Sequence, residues 1–392
     1  MWSFCWPATS PPCLPAPSSP SGWPGADPVG FSGSYAADDV TFLLKPVELA
    51  PTPVAEKERL IQSGARHYSE MLSAEEAPDA TYLALFHQAL AANRGRFAGD
   101  LARLAKALHR DRPPGEIVLA SLARAGTPVG VLLRRALVRL GRPVAHYSLS
   151  IIRDRGIDRA ALDWMLARHA ADRMVFVDGW TGKGAIAGEL VASLGREHAG
   201  GAAVPAPELV AVADLAGVAA LAATAADYLI PSAILNAVVS GLVSRTVLND
   251  DVVGPGEFHA CVVQHHLAGH DLSRRFVDAL MPDLEAALAD AAVAPAVWGE
   301  GDRRDLADTS ADCVARLAAR HGLKDRNRVK PGIGESTRAL LRRLPEHLYL
   351  ADPSAPDVAH LLHLAQTRGA AWSHDPDLPY RAAVVIRTLG RD

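Results

Sequence analysis

A short stretch of the chain joins an acidic residue to a loop of glycine, threonine and lysine, which are residue types that bind phosphate. It runs from Met174 to Ile186, with four apolar residues before Asp178 and the loop after it. The apolar run predicts a buried strand, and the apolar spacing from Ala185 onward predicts a helix. Glycines let backbone N–H groups turn inward at a helix N-terminus, whose dipole favours an anion. The stretch therefore predicts a phosphate-binding loop, with an ordinary strand-to-helix turn as the alternative.

The loop differs from one known phosphate-binding motif and resembles another. A P-loop places four residues between its first Gly and the Gly-Lys pair, followed by Ser or Thr, whereas here Gly179 and Gly182 enclose only two residues. The stretch instead resembles the signature of type I phosphoribosyltransferases, a hydrophobic strand, two acids and a Thr/Gly loop that holds the 5-phosphate of 5-phosphoribosyl-1-diphosphate (PRPP). Asp178 matches the first acid, and Gly179 stands where the second is expected. The resemblance implies phosphate contacts from Gly179, Trp180, Thr181, Gly182, Lys183 and Gly184.

The region around the loop alternates predicted strands and helices. Strands are predicted at 117–120, 144–149, 174–177 and 209–213, and helices at 129–140, 159–169 and 185–194. Strands separated by helices of this length form right-handed crossovers, which give a mainly parallel sheet. Because ligands of such sheets bind at the carboxyl ends of the strands, the turns at these ends are the candidate site.

Two further turns at strand ends carry suitable residues. The turn Arg124-Ala125-Gly126 resembles the pyrophosphate-binding turn of the transferases, with Ala in place of one Gly. That resemblance implies contacts from Ser121, Ala125, Gly126 and Thr127. Arg153 and Arg155 follow the next strand and would neutralise a departing pyrophosphate, unless they belong to a surface loop with an internal Asp–Arg pair.

A stripe of small polar residues is expected to line an acceptor pocket. Ser232, Asn236, Ser240 and Ser244 recur every four residues in an apolar stretch that ends at Arg245. If the stretch is a helix, these side chains share one face. They would contact a base-like acceptor, or they would allow close helix packing.

Composition restricts the class of protein. The 392 residues carry a net charge of −4, so any contact with nucleic acid must come from a local basic patch. No apolar run reaches the length of a membrane span, and the four cysteines show no CxxC pairing, which predicts a soluble cytoplasmic protein. The histidine-rich stretch from 259 to 270 matches no zinc spacing, so no metal site made by the protein alone is predicted.

Domain boundaries follow changes in composition. Residues 1–34 are rich in Pro and Ser and contain no Lys or Arg, so we expect a disordered extension without the features of a signal peptide. Residues 35–115 form a helical hood, with helices expected at 56–62, 82–92 and 97–108. Residues 116–320 form the phosphoribosyltransferase-like domain. Residues 321–392 form a third domain.

The third domain contains the basic patch. Between His321 and Pro345 there are seven Lys or Arg residues and two acidic ones. The run from Lys330 to Leu340 is similar to the loop-to-helix motif of the kink-turn RNA-binding family that includes the C-terminal domain of Pelota, with Gly334 in place of the family's Asn. A strand at 347–351 and a helix at 358–367 fit that family. The resemblance implies RNA contacts from Lys330, Gly332, Gly334, Glu335 and Arg338, and helix capping is the alternative for the polar ones.

Five runs together carry a resemblance to one family: 33–35, 62–71, 152–158, 178–184 and 243–246. They resemble the phosphoribosyltransferase-like family of bacterial tellurite-resistance and stress gene clusters, some members of which are labelled cysteine protease StiP. The protease label is set aside because the sequence offers no credible Cys/His pair. The implied fold is α/β: a type I phosphoribosyltransferase-like parallel sheet with helices on both faces, a helical N-terminal hood and a small C-terminal α/β/α Pelota-like domain.

The resemblance also implies an activity. It is a PRPP-dependent phosphoribosyl transfer to an unknown base-like acceptor, assisted by Mg²⁺, with RNA as a further partner and a homodimer as the assembly. The residues implied in catalysis are Asp178, Arg124, Arg153 and Arg155. The alternative is a non-catalytic nucleotide-sensing or RNA-binding protein on a degenerate fold of the same kind, which the missing second acid favours.

Overall fold

The computed structural model describes residues 30–199 and 204–389, so residues 1–29 of the expected disordered extension lie outside it. Most described elements before residue 300 belong to one α/β unit. In chain order they are β1 (Thr41–Leu43), β2 (Lys45–Pro46), α1 (Val54–Gln62), α2 (Ala80–Asp111), β3 (Ile117–Leu122), α3 (Gly126–Arg139), β4 (Val144–Leu149), β5 (Ile151–Ile152), β6 (Gly156–Ile157), α4 (Arg159–Leu166), β7 (Met174–Thr181), α5 (Ala185–Ala199), β8 (Leu209–Asp214), β9 (Leu221–Thr224), β10 (Ala260–Cys261) and α6 (Ser273–Ala289).

The central sheet has six strands in the order β1-β4-β3-β7-β8-β9, and every neighbouring pair is parallel. This confirms the prediction of an α/β fold with a parallel central sheet. All side chains of β3 and β8 are buried, as expected where both faces of a sheet are covered. The carboxyl ends of β3, β7 and β8 lie side by side and form the edge that carries the candidate site.

Helices cover both faces of this sheet because alternate strand residues point in opposite directions. Leu119 and Val175 belong to the core that includes α2, α3 and α6. Val118 and Phe176 belong to a second core, which includes α4 and α5.

Three expected elements differ in the structure. The helices expected at 82–92 and 97–108 form the single helix α2, which packs along α6 and α3. Strand β7 continues to Thr181, because Trp180 and Thr181 still pair with β8. The helix expected over 232–245 was wrong: the chain there forms only two short 3₁₀ turns, Pro231–Ala233 and Ala237–Val239. The φ and ψ of Asn236, −107° and −114°, interrupt any helix between them.

A second α/β unit follows. Its elements are α7 (Glu300–Arg320), β11 (Val329–Pro331), α8 (Ile333–Arg342), β12 (Pro345–Leu350), α9 (Ala359–Thr367), β13 (Ala371–His374) and β14 (Ala382–Ile386). Its sheet has the order β11-β14-β12-β13, with only the β12–β13 pair parallel. Helix α7 covers one face, and α8 and α9 cover the other. Among the helices of the described ranges, none combines the length and apolar character needed to cross a membrane.

The two units share a hydrophobic core. Ile333 and Leu340 of α8 belong to the same buried cluster as Leu101 of α2 and Ile230. Helix α8 is therefore held against the carboxyl edge of the first sheet, and the loop before α8 faces the loop after β7.

Candidate functional site

Asp178 lies near the end of β7, at the edge where the sequence placed the site. Its side chain is partly buried, and its Oδ1 accepts a hydrogen bond of 2.7 Å from the N–H of Gly179. Burial raises the pKa of the carboxyl to about 6, and the nearby Arg338 guanidinium opposes this rise. Asp178 is thus a recessed carboxyl beside a cation of the second unit.

Thr181 joins two strands of the sheet. Its hydroxyl donates to Asp214 Oδ1 at 2.5 Å and accepts the N–H groups of Leu215 and Ala216 at 3.0 and 3.3 Å. One donor and two acceptor positions exhaust a hydroxyl. The side chain predicted to hold a phosphate therefore holds the ends of β7 and β8 together.

The rest of this loop is covered by the second unit. The Lys183 ammonium donates to the carbonyls of Arg326 and Val329 at 2.8 and 3.2 Å. A Cβ atom at Gly182 would lie 2.5 Å from Glu335 Cγ, so only glycine fits beneath that side chain. Gly184 has a φ of +76°, which favours glycine and allows the turn into α5.

The motif predicted to bind RNA meets this loop directly. A Cβ at Gly334 would lie 2.2 Å from the Trp180 ring, and the Arg338 guanidinium lies 4.5 Å from the centroid of that ring. Lys330 is partly buried. The structure thus brings together the two predicted sites, which sequence analysis had assigned to separate domains.

Asp227 is a site residue that sequence analysis missed. Its carboxylate accepts the N–H of Ile333, the first residue of α8, at 3.0 Å, and the N–H of Arg381 at 2.8 Å. An acid at a helix N-terminus is stabilised by the helix dipole. Asp227 therefore occupies amide groups that the motif offered to a phosphate. The sequence around Asp227 contains no motif that marks it as a site residue, because its hydrogen-bond partners lie more than 100 residues away along the chain.

The turn after β3 is tightly built. The buried Arg124 donates to the carbonyl of Val243 at 2.9 Å and pairs with Glu75 at 2.6 Å. The Ser121 hydroxyl is hydrogen-bonded to His146 Nε2 at 2.8 Å, and Thr127 to Ser148 at 2.8 Å. The Cβ of any larger residue at Gly126 would lie 2.2 Å from the Val177 carbonyl oxygen, and Ala125 is buried. The side chains of Ser121, Arg124 and Thr127 thus contact other parts of the protein, while Arg124 Nε has no hydrogen-bond partner in the described part of the chain.

Arg153 and Arg155 lie in the hairpin between β5 and β6. Arg153 pairs with Asp154 at 2.9 Å, which is the internal pair considered as an alternative, and Arg155 lies 3.3 Å from Glu70. The Arg153 guanidinium also lies 5.3 Å from the centroid of the Tyr68 ring. Arg153 therefore lies at the surface beside the loop after β7.

The predicted acceptor residues do not form one face. The Ser240 hydroxyl donates to the Asn236 carbonyl at 2.8 Å, and Ser232 is buried. The Asn236 side chain accepts from Arg342, and Arg245 donates to the Tyr68 carbonyl at 2.6 Å. Only Asn236 and Arg245 line a common cavity.

Four basic residues from both units meet beside these loops. We name them the basic junction: Arg153, Lys183, Lys330 and Arg343. Burial and the charge of Lys330 lower the pKa of Lys183 to about 7, and burial, Arg343 and Arg153 lower the pKa of Lys330. Glu335 and Asp325 oppose both pKa shifts, so the repulsion among these basic side chains is partly balanced by nearby acids. A bound polyanion would relieve that repulsion.

The two described cysteines are core residues. Burial raises the pKa of the Cys261 thiol well above its ordinary value and that of Cys313 to about 11, so both are thiols at neutral pH. Cys5 and Cys13 lie outside the described residues. Within the described ranges, no three His, Cys, Asp or Glu side chains are grouped as a metal site would need. The Mg²⁺ expected with PRPP stays a prediction.

Known protein families and one relative match most of this chain. A model of the family "Tellurite-like stress resistance cysteine protease StiP" matches residues 33–281, and a model of the PELOTA RNA binding domain matches residues 308–388. The chain is 44% identical over 375 residues to "Cysteine protease StiP" of Acinetobacter baylyi, an alignment that covers 92% of this chain and 96% of that protein. The predicted resemblance to the StiP family and to the Pelota RNA-binding domain is confirmed.

These matches correct the predicted activity. The PRPP-dependent transferase is wrong, because the matching family is described as a stress resistance cysteine protease and the relative as a cysteine protease. Nor does a nucleotide-sensing derivative of a transferase agree with that description. A solved structure of hypoxanthine phosphoribosyltransferase from Trypanosoma cruzi, complexed with IMP, covers 51% of this chain and 92% of its own, at 14% identity and a TM-score of 0.25. That similarity is too low to argue for a transferase fold.

Proposed function

The chain belongs to the StiP family of stress-resistance proteins, and from this premise we propose that it acts in stress resistance by binding RNA at the basic junction. The Pelota-type second unit is the observation that carries the proposal. RNA would contact Lys330, whose ammonium has no partner among the described contacts, and it would be attracted by the charges of Arg153, Lys183 and Arg343, which already have partners within the protein.

The geometry favours phosphate contacts over base contacts. Gly334 and Arg338 are packed against Trp180, and Gly332 lies against Leu215, so they are not free to contact a base. Lys330 and Arg153 remain partly exposed beside them. Basic side chains at such positions contact phosphates, which give affinity that depends strongly on salt.

The test is RNA binding by the full chain, measured by fluorescence anisotropy with a labelled single-stranded RNA over a series of salt concentrations. We expect Lys330→Gln to weaken binding about tenfold and to lower the salt slope by about one unit, because one phosphate contact is lost. Lys106→Gln is the matched control. Lys106 lies on α2 and donates to the Asp290 and Val293 carbonyls, which are not part of the basic junction, so its variant should bind as the wild type does.

Two results would overturn the proposal. One is wild-type protein without measurable affinity for RNA. The other is equal loss of affinity in Lys330→Gln and Lys106→Gln, which would place the contact outside the basic junction.

Proteolysis is a second candidate, favoured by the name of the relative that is 44% identical to this chain. The described thiols are buried and need a rearrangement before they can attack a peptide. The test is hydrolysis of a fluorescent protein substrate by the wild type, Cys261→Ser and Cys313→Ser. Loss of activity in one variant would identify the nucleophile. Unchanged activity in both would assign it to Cys5 or Cys13, and no hydrolysis by the wild type would remove this candidate.

A further inference from the structure

A cavity of about 190 Å³ lies outside the basic junction, and the RNA proposal does not use it. Three separate parts of the chain supply its basic residues: Lys57 on α1, Arg245 after the 3₁₀ turns and Arg342 at the end of α8. Buried apolar side chains line part of the inner wall, among them Leu72 and Tyr82. The cavity therefore combines positive charge with an apolar surface.

None of the three basic residues is paired with a carboxylate among the contacts of the described chain. Lys57 Nζ lies 3.5 Å from the Arg342 carbonyl, and Arg342 donates to the amide oxygen of Asn236. Arg245 donates to the Tyr68 carbonyl at 2.6 Å. All of these acceptors are neutral, so none of the three basic side chains makes a direct ion pair at the cavity.

The carboxylates beside these three cations form ion pairs with other arginines. Glu75 lines the cavity, but its Oε1 lies 2.6 Å from Arg124 and its Oε2 accepts the N–H of Ala237. Glu58, which is fully buried, pairs with Arg343 at 3.0 Å. Glu58 and Glu75 act on the three cations without pairing with them directly, and a bound anion would add a direct counter-charge.

Two buried polar atoms at the cavity lack a hydrogen-bond partner among the described residues. Arg342 Nε and Ser73 Oγ are buried and have no hydrogen-bond partner in the described part of the chain, and both residues line the cavity. An unpartnered buried donor costs about 1–3 kcal/mol, and more when it is charged. A ligand with several acceptor oxygens would satisfy both groups.

We propose that this cavity binds a small organic anion, with its carboxylate or phosphate head at Lys57, Arg245 and Arg342 and its apolar body against Leu72 and Tyr82. Oxygen acceptors suit the guanidinium groups, which bind carboxylate and phosphate alike. The exposed residues Glu76, Asp79 and Arg368 form the mouth through which the ligand enters. The volume fits a body no larger than a single ring, because drug-sized ligands need about 300 Å³ or more.

The test is calorimetric titration of the full chain with phenyl phosphate, benzoate, inorganic phosphate and phenol. We expect one of the two aromatic anions to bind more tightly than both inorganic phosphate, which lacks the apolar body, and phenol, which lacks the charge. Tighter binding of phenyl phosphate would assign a phosphate head, and tighter binding of benzoate a carboxylate head. Binding of phenol as tight as that of the anions would overturn the proposal.

Variants locate the site. Lys57→Met and Arg342→Met each remove one charge and keep the length of the side chain, and each is expected to weaken anion binding about tenfold or more. Lys106→Met and Arg304→Met are the matched controls and should bind as the wild type does; Arg304 is 75% exposed on α7. Wild-type affinity in both cavity variants would overturn the proposal. If either variant fails to fold, as judged by circular dichroism, the comparison of phenol with the anions on the wild type still decides it.

Discussion

The loop after β7 and the loop before α8 have similar sequences, each with glycines and a lysine leading into a helix, but their donors are used differently. In the first loop, Thr181 is bonded within its own sheet and Lys183 donates to carbonyls of the second unit. In the second loop, the N–H of Ile333 is bonded by Asp227, whereas the Lys330 ammonium has no hydrogen bond or ion pair among the described contacts. The first loop is closed by hydrogen bonds, and the second keeps a free cation.

This difference shows what a phosphate-like motif requires to become a site. The glycines fix the shape of the backbone in both loops, but shape alone does not bind an anion. Binding needs donors without partners, and distant residues such as Asp214 and Asp227 decide which donors remain free. Four substitutions test this comparison.

Removing the internal anion should have the largest effect. Asp227→Ala leaves the N–H groups of Ile333 and Arg381 without their acceptor, so the free energy of unfolding should fall by about 2–4 kcal/mol. Urea denaturation measures this change. Asp377→Ala, at an exposed position, is the control and should stay within about 0.5 kcal/mol of the wild type. Equal stability of the two variants would show that Asp227 does not hold the loops together.

The contact of Gly334 with Trp180, which joins the two loops, predicts the second-largest effect on stability. Gly334→Ala places a methyl group against the Trp180 ring and should cost about 1–3 kcal/mol of stability, despite the better helix propensity of Ala. Gly188→Ala in α5 is the matched control: nothing lies near its added methyl group, so it should gain about 0.5–1 kcal/mol. Thermal unfolding compares them, and a gain in both would mean that the loops are not packed as described.

The recessed carboxyl at the end of β7 predicts a change with pH. Because the pKa of Asp178 is raised to about 6 in the folded protein, the folded state holds its proton more tightly than the unfolded state. Stability contributed by this group is therefore present at low pH and lost as pH rises through about 6. Asp178→Asn should remove this loss and exceed wild-type stability by about 1–2 kcal/mol above pH 7. Parallel pH profiles of the two proteins would contradict the assignment.

Replacing Lys183, whose ammonium donates to carbonyls of the second unit, should have the smallest effect on stability. Lys183→Met loses two hydrogen bonds but also a buried charge whose pKa is lowered to about 7, so stability at pH 7 should change by less than about 1 kcal/mol. Above pH 7 the unfolded wild type still binds the proton that the folded state releases, so wild-type stability should rise toward pH 9. Urea denaturation at both pH values should show a smaller rise in the variant. An equal rise would place the titration elsewhere.

Much of the fold follows from local sequence. The strands β3, β4, β7 and β8 lie where apolar runs predicted them, because a buried parallel strand needs a continuous apolar segment. Their parallel order follows from the connecting helices. The exception at 232–245 arises because small polar residues repeat at helical spacing there while the chain packs as buried turns. A helical repeat in the sequence predicts a helix when one face of the segment is buried and the other is exposed. It does not predict the structure of a segment that is buried on every side.

The sequence by itself therefore determined the family resemblance, the parallel sheet and the position of the two glycine-rich loops, since each depends on residues that are close along the chain. Only the tertiary structure decided that the loops face each other and that Asp214 and Asp227 satisfy their donors. It also decided that Lys57, Arg245 and Arg342 share one cavity. The reason is physical: hydrogen-bond satisfaction and charge balance depend on groups that are distant in sequence and become neighbours only when the chain has folded.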